Sequence, residues 1–154
     1  MAKSKRNDAH RVRQPKSEKT VSEDKKPKTT LGSITSVDGK PLCWRFSHAD
    51  KGGPWAWTGL TDPEYKRVQE RLHQFEGMTW QQILATGSHL IKQCDLTKEA
   101  RDRLGELELD DLEELMSFRV EGAVRVFCVQ QTNVMHVFWY DPKHAVCPSQ
   151  KKNT

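Results

Sequence analysis

Residues 116–148 read MSFRVEGAVRVFCVQQTNVMHVFWYDPKHAVCP, and the alternation within this stretch decides the fold. Apolar and polar residues exchange places with the period of a half-buried strand, broken by Gly122 and again by Gln131-Thr132-Asn133. The pattern predicts three strands, over 117–121, 124–130 and 134–140. Met116, Phe118 and Val120 share one face of the first strand; Val124, Val126 and Cys128 share one face of the second. Turning both sets toward one core places Arg119 opposite Arg125 on the other face. Like charges facing each other across a strand pair are destabilising, so two arginines held there point to an anionic partner or a nearby carboxylate.

A two-residue turn at Thr132-Asn133 predicts Met135, Val137 and Trp139 on the core side. His136, Phe138 and Tyr140 then join the arginine face, beside Phe127 and Val129. Guanidinium groups for phosphate and rings for bases are the parts from which RNA recognition is built. The same set could cleave RNA: a base takes the 2′-OH proton, an arginine holds the phosphoryl charge, and an acid protonates the leaving oxygen. Arg119, Arg125, His136 and His144 are the candidate catalytic residues. Tyr140, Phe127, Phe138 and Lys143 are the candidate substrate contacts. The alternative is structural: a helix covers the rings, and the arginines pair with Glu121 or other acids. Pro142 stops the last strand and throws His144 into a loop, where function is commonly carried. His136, Asp141, His144 and Cys147 could be gathered as metal ligands, but no short ligand motif supports this, and no metal or cofactor is expected.

Upstream, Leu42, Trp44 and Phe46 alternate with Cys43, Arg45 and Ser47 as in a half-buried strand. His48–Pro54 (HADKGGP) has turn composition, and Trp55 and Trp57 suggest a short returning strand. Thr61, Pro63 and Glu64 form a helix start with a capping box, and Tyr65, Val68, Leu72 and Phe75 follow at helical spacing up to Gly77. Thr79 with Gln82 repeats the box before a short helix ending at Gly87. A third helix is predicted from Thr97 through Leu104, with one more turn over 110–115. Trp44, Trp55 and Trp57 read first as core packing and second as a base-stacking platform. His48, His73 and His89 read as surface or capping residues.

Charge is unevenly placed. Residues 1–31 hold ten Lys/Arg against four Asp/Glu, while the rest hold fifteen against seventeen. The expected organisation is a disordered basic arm over 1–38, one α+β domain over 39–150 and a short tail over 151–154. The arm is a tether at most, because the folded part is nearly neutral. No apolar run of 18 residues exists, and the basic N-terminus lacks the apolar stretch of a secretory signal. The four cysteines are widely spaced without a CxxC, so reduced thiols in a cytoplasmic protein are expected.

From Phe118 to Pro148 the chain resembles the RelE/ParE superfamily of toxin–antitoxin toxins. The likeness lies in an arginine strand, a glycine turn, a second arginine strand, an apolar strand and a basic end. It covers about 30 residues, or about 60 with the preceding helices. It implies an α+β fold in which an N-terminal strand pair and helices pack on a C-terminal three- to four-stranded antiparallel sheet. In the ribosome-dependent RNases of that superfamily, residues at these places hold and polarise the cleaved phosphate, which would implicate Arg119, Arg125 and His144. Cys147 lies near the place where that branch often has a tyrosine, and the Trp-rich front is longer than in the minimal family. The chain is also similar to uncharacterised bacterial proteins with the outline F-R-x-x-G-x-x-R … W-x-D-P-x-H. The resemblance implies a metal-independent mRNA endonuclease, with the ribosome as one setting and an antitoxin protein as partner. The alternative is a non-catalytic binding module of the same fold that docks on or inhibits a protein such as a topoisomerase.

Overall fold

The computed structural model describes residues 39–149; the arm over 1–38 and the tail from 151 lie outside them. Its centre is a five-stranded sheet in the order β1-β5-β4-β3-β2. The strands are β1 (Cys43–Arg45), β2 (His89–Lys92), β3 (Glu114–Glu121), β4 (Val124–Gln131) and β5 (Val134–Asp141). Neighbours run antiparallel except β1, which lies parallel to β5 with Trp44 beside Met135. The three long strands are those read from the alternation, lengthened at their ends. The expected antiparallel sheet of three or four strands is thus a mixed sheet of five.

Both faces of this sheet are covered, which explains why β4 buries Val126, Phe127 and Cys128 in succession. On the upper face lie α1 (Asp62–Glu76) and α2 (Trp80–Ala85), which bury Val68, Leu72, Phe75 and Ile83 against Met116, Phe118, Val126 and Val137. The lower face carries α3 (Lys98–Glu106), whose Ala100 and Leu104 pack with Leu115, Phe127, Phe138 and Trp139. Truncating one of these fully buried aromatics to alanine costs on the order of 3–5 kcal/mol.

The helix starts follow from their caps. The Thr61 N–H and hydroxyl both donate to the Glu64 carboxylate, at 2.7 and 2.8 Å, with Pro63 in the first turn. Thr79 Oγ1 accepts the Gln82 N–H at 3.1 Å, and Gln82 returns the bond to the Thr79 N–H at 2.8 Å. Thr97 Oγ1 accepts the Ala100 N–H at the start of α3.

Four expectations are corrected. The returning strand at Trp55 and Trp57 is absent: Trp57–Gly59 is a 3₁₀ turn, and β1 finds its partner in β5. Asp50 causes this, because its carboxylate accepts the Gly52 and Gly53 N–H groups and its carbonyl accepts the Trp57 N–H, closing the loop on itself. The three tryptophans are parted accordingly, with Trp44 and Trp57 in the upper core and Trp55 in the lower. Beyond a tight turn at Asp110 and Asp111 no helical turn forms, and β3 begins at Glu114. Finally, β2 was not foreseen.

The last correction concerns register. Phe127 pairs with Trp139 but Cys128 pairs with Val137, so Phe138 is an extra residue in β5. This bulge turns Trp139 to the lower face and Tyr140 to the upper, reversing the expected assignment of both.

Candidate active site

Beyond the bulge, the lower face ends in a row of charged side chains. Arg119 on β3 stands opposite Arg125 on β4, which stands opposite Asp141 on β5. Two features produce the first pairing: Gly122, at φ 45°, reverses the chain so that Glu121 pairs with Val124, and a one-residue register shift between Glu121 and Arg119 then sets Arg119 opposite Arg125.

Arg125 is 8% exposed. Its Nη1 donates to the Gly122 carbonyl at 2.7 Å and the Val124 carbonyl at 3.1 Å, while its buried Nε has no partner. Burial lowers its pKa from the usual arginine value; Arg119 adds to this and Asp141 opposes it. Arg119 is exposed, and its side chain lies across Gly87. At Gly87, with φ 92°, a Cβ would come within 3.2 Å of Arg119 Nη1. The Arg119 N–H donates to Ser88 Oγ at 2.9 Å, pinning the approach to β2 against β3.

Among the described residues, neither arginine has a carboxylate within ion-pair distance. Glu121, the acid expected to neutralise them, pairs with Arg67 at 3.0 Å, and the other ion pairs lie at Lys98 and Arg103. Asp141, wholly buried, turns its oxygens to the chain that follows: Oδ1 accepts the Lys143 N–H at 3.2 Å and Oδ2 the Val146 N–H at 2.9 Å. These bonds fold the loop that holds His144, at φ 56°, half-buried beside the arginines. Burial holds the His144 imidazole below its ordinary pKa; Arg125 lowers it further, Asp141 opposes, and His89 and Arg119 add smaller lowering effects.

β2 supplies what the sequence reading missed. His89 pairs with Ser117, and its Nδ1 lies 3.1 Å from the Gly87 carbonyl. Ser117, 1% exposed and on the same face as Arg119, has a buried Oγ without a partner. This end of the sheet therefore gathers two cationic side chains, two imidazoles and two unpartnered buried polar atoms, an arrangement suited to an oxyanion.

The remaining candidates lie elsewhere. His136 sits at the far end of β5, roughly 16 Å from Asp141 by strand rise, with its Nε2 3.0 Å from Gln131 Oε1. Phe127 and Phe138 are fully buried in the lower core, where Phe138 borders the cavity at the His136 end of the sheet. Lys143 is exposed in the loop next to His144. Tyr140, carried to the upper face by the bulge, directs its hydroxyl to Glu64 Oε1 at 3.4 Å. Tyr140→Phe is accordingly expected to leave any activity of the lower face unchanged and to cost no more than about 1 kcal/mol in urea unfolding. A large loss of activity with intact stability would restore Tyr140 to the site.

Among the described residues no three His, Cys, Asp or Glu side chains gather as a metal set. The four cysteines are free, with Cys128 buried and its thiol pKa pushed up by burial. No helix among the described residues is long and apolar enough to cross a membrane. No family model, curated protein or solved structure matches the chain.

Proposed function

We propose that this chain is a toxin-like endoribonuclease that binds the scissile phosphate of mRNA between Arg119 and Arg125. The observation that carries the reading is the arginine pair without an ion-pair contact, held by strand register beside a half-buried imidazole. His144 takes the proton of the 2′-OH, and the freed oxygen attacks phosphorus. The arginines hold the charge that grows on the non-bridging oxygens, and His89 delivers a proton to the departing 5′-oxygen. The products are a 2′,3′-cyclic phosphate and a free 5′-hydroxyl. The helices-on-sheet layout and the basic end after the last strand support the resemblance to RelE/ParE toxins. An antitoxin protein would act by covering this end of the sheet.

A second reading rests on Arg125. Its bonds to the Gly122 and Val124 carbonyls and its low exposure also suit a non-catalytic binding module. Expression in a bacterial host separates the two: growth arrest with mapped mRNA cleavage supports the nuclease, whereas arrest with intact mRNA supports the module.

Catalysis by His144 also fixes a pH profile. A base must be neutral, and burial holds this imidazole below 6.5. The acid limb of the rate profile is therefore expected below pH 6.5. His144→Ala should lose on the order of 10²–10⁴-fold in rate. An acid limb above that value would remove His144 from the base role.

A further inference from the structure

At the other end of the lower face the sheet opens into a cavity of about 290 Å³, separate from the arginine pair. Half-buried Leu112 and Val129 form apolar walls, and His48, Gln130, Gln131 and His136 bring polar atoms to it. No carboxylate, ammonium or guanidinium is among the residues that line it. This lining favours a neutral occupant: half-buried apolar walls have no means of balancing a charge, and the amides recognise a ligand through hydrogen bonds.

The polar atoms have a defined polarity. Gln131 Oε1 can only accept, so His136 Nε2, 3.0 Å away, is the donor in that bond. The His136 Nδ1 then carries a lone pair, and it is buried without a partner. The Gln131 amide NH₂ remains free to donate. Gln130 uses its Nε2 on the Thr132 carbonyl at 3.4 Å, which leaves its Oε1 to accept. The His48 and His136 rings stand 5.5 Å apart at the mouth, tilted by 56°. Apolar walls, alternating donors and acceptors, and adjacent imidazole faces match a flat heterocycle whose edge carries donors and acceptors side by side.

We infer that this cavity binds a nucleobase. The inference rests on the RNA reading above for the source of that base, a nucleotide a few positions from the one held by the arginines, and it would make cleavage base-selective.

The test uses the full chain and the four ribonucleosides, which carry no phosphate. Each is titrated at millimolar concentration while the side-chain amide signals of Gln130 and Gln131 and the His136 ring signals are followed by NMR. At least one nucleoside is expected to shift these signals saturably. Gln131→Ala and the cavity-filling Leu112→Trp are each expected to weaken binding roughly tenfold or more. Failure of all four nucleosides to move the signals, or binding that a folded Gln131→Ala leaves unchanged, overturns the inference. A short oligoribonucleotide that binds more tightly than its best nucleoside places the base in a strand; equal affinity assigns the cavity to free nucleosides. RNA cleavage without base preference or nucleoside binding would remove the cavity's role and leave the nuclease standing. Nucleoside binding by a chain that cleaves nothing would do the reverse.

Discussion

Asp50→Ala is expected to lower the unfolding free energy by about 3–5 kcal/mol, the range for removing one partner of a buried ion pair. Asp50 is 2% exposed and accepts five hydrogen bonds. Arg103 reaches it with Nε at 2.8 Å and Nη2 at 2.6 Å, Trp139 with Nε1 at 3.1 Å, and Gly52 and Gly53 with their N–H groups. One carboxylate thus ties α3, β5 and the loop after β1 over the lower core. Its loss leaves the one-fifth-exposed Arg103 guanidinium with Glu106 as its remaining carboxylate and strands an indole N–H that is buried. The fit is close enough to dictate the loop: a Cβ on Gly53 would lie 2.5 Å from both Arg103 Nε and Asp50 Oδ2.

Acid should act through the same group. The Arg103 hydrogen bonds, first among several causes, hold the Asp50 pKa at about 2 against an ordinary 3.8, with burial opposing. A depressed carboxylate contributes its stability in full above pH 3.8, and this is lost as pH falls through 3.8 toward 2. Wild type should therefore lose more stability over that window than Asp50→Asn, whose side chain does not titrate. Urea unfolding followed by circular dichroism at pH 7 and pH 3 reads both effects. A deficit below about 1 kcal/mol for Asp50→Ala at pH 7 would show that the pair does not hold the lower core together.

How much of this was legible in the sequence depended on the distance over which each feature is determined. The Arg119–Arg125 pairing is local: the apolar alternation on both strands sets which residues share a face, and the register shift beside the two-residue turn obeys it, so the pairing could be read. The helix caps at Thr61 and Thr79 are equally local. The parallel partner of β1 lies some ninety residues away and leaves no periodic trace in Cys43–Arg45. β2 is four residues long and buries only Ile91, too little alternation to mark a strand, and so His89 reads in the sequence as a surface or capping residue. The bulge at Phe138 could not be read because Phe138, Trp139 and Tyr140 are all large and aromatic. Any of the three could face either core, and only packing on two covered faces chooses among them. Asp50 gave no signal beyond turn composition, since its partners Arg103 and Trp139 come from elements far along the chain.

The same geometry chooses the residue on which the nuclease reading is best tested. Arg125 is a poor choice, because Arg125→Ala would also remove the bonds to the Gly122 and Val124 carbonyls, and a loss of activity could be a loss of fold. Arg119 is exposed, and the link from its position to Ser88 is made by the backbone N–H, which alanine and lysine retain. Arg119→Ala should leave stability within about 0.5 kcal/mol of wild type. It could even gain a few tenths of a kcal/mol, since the mutation removes a like charge facing Arg125. RNA cleavage should nevertheless fall on the order of 10²–10³-fold, the usual effect of removing one donor from a developing oxyanion. Arg119→Lys should recover only part of the loss, because an ammonium keeps the charge but cannot offer two parallel N–H bonds to a phosphate. The measurement is single-turnover cleavage of a labelled RNA, with unfolding curves of the same preparations. A stable Arg119→Ala chain that cleaves at the wild-type rate would take the phosphate away from this end of the sheet. The arginine pair, without an ion-pair contact, would then have to be explained by a protein surface that covers it.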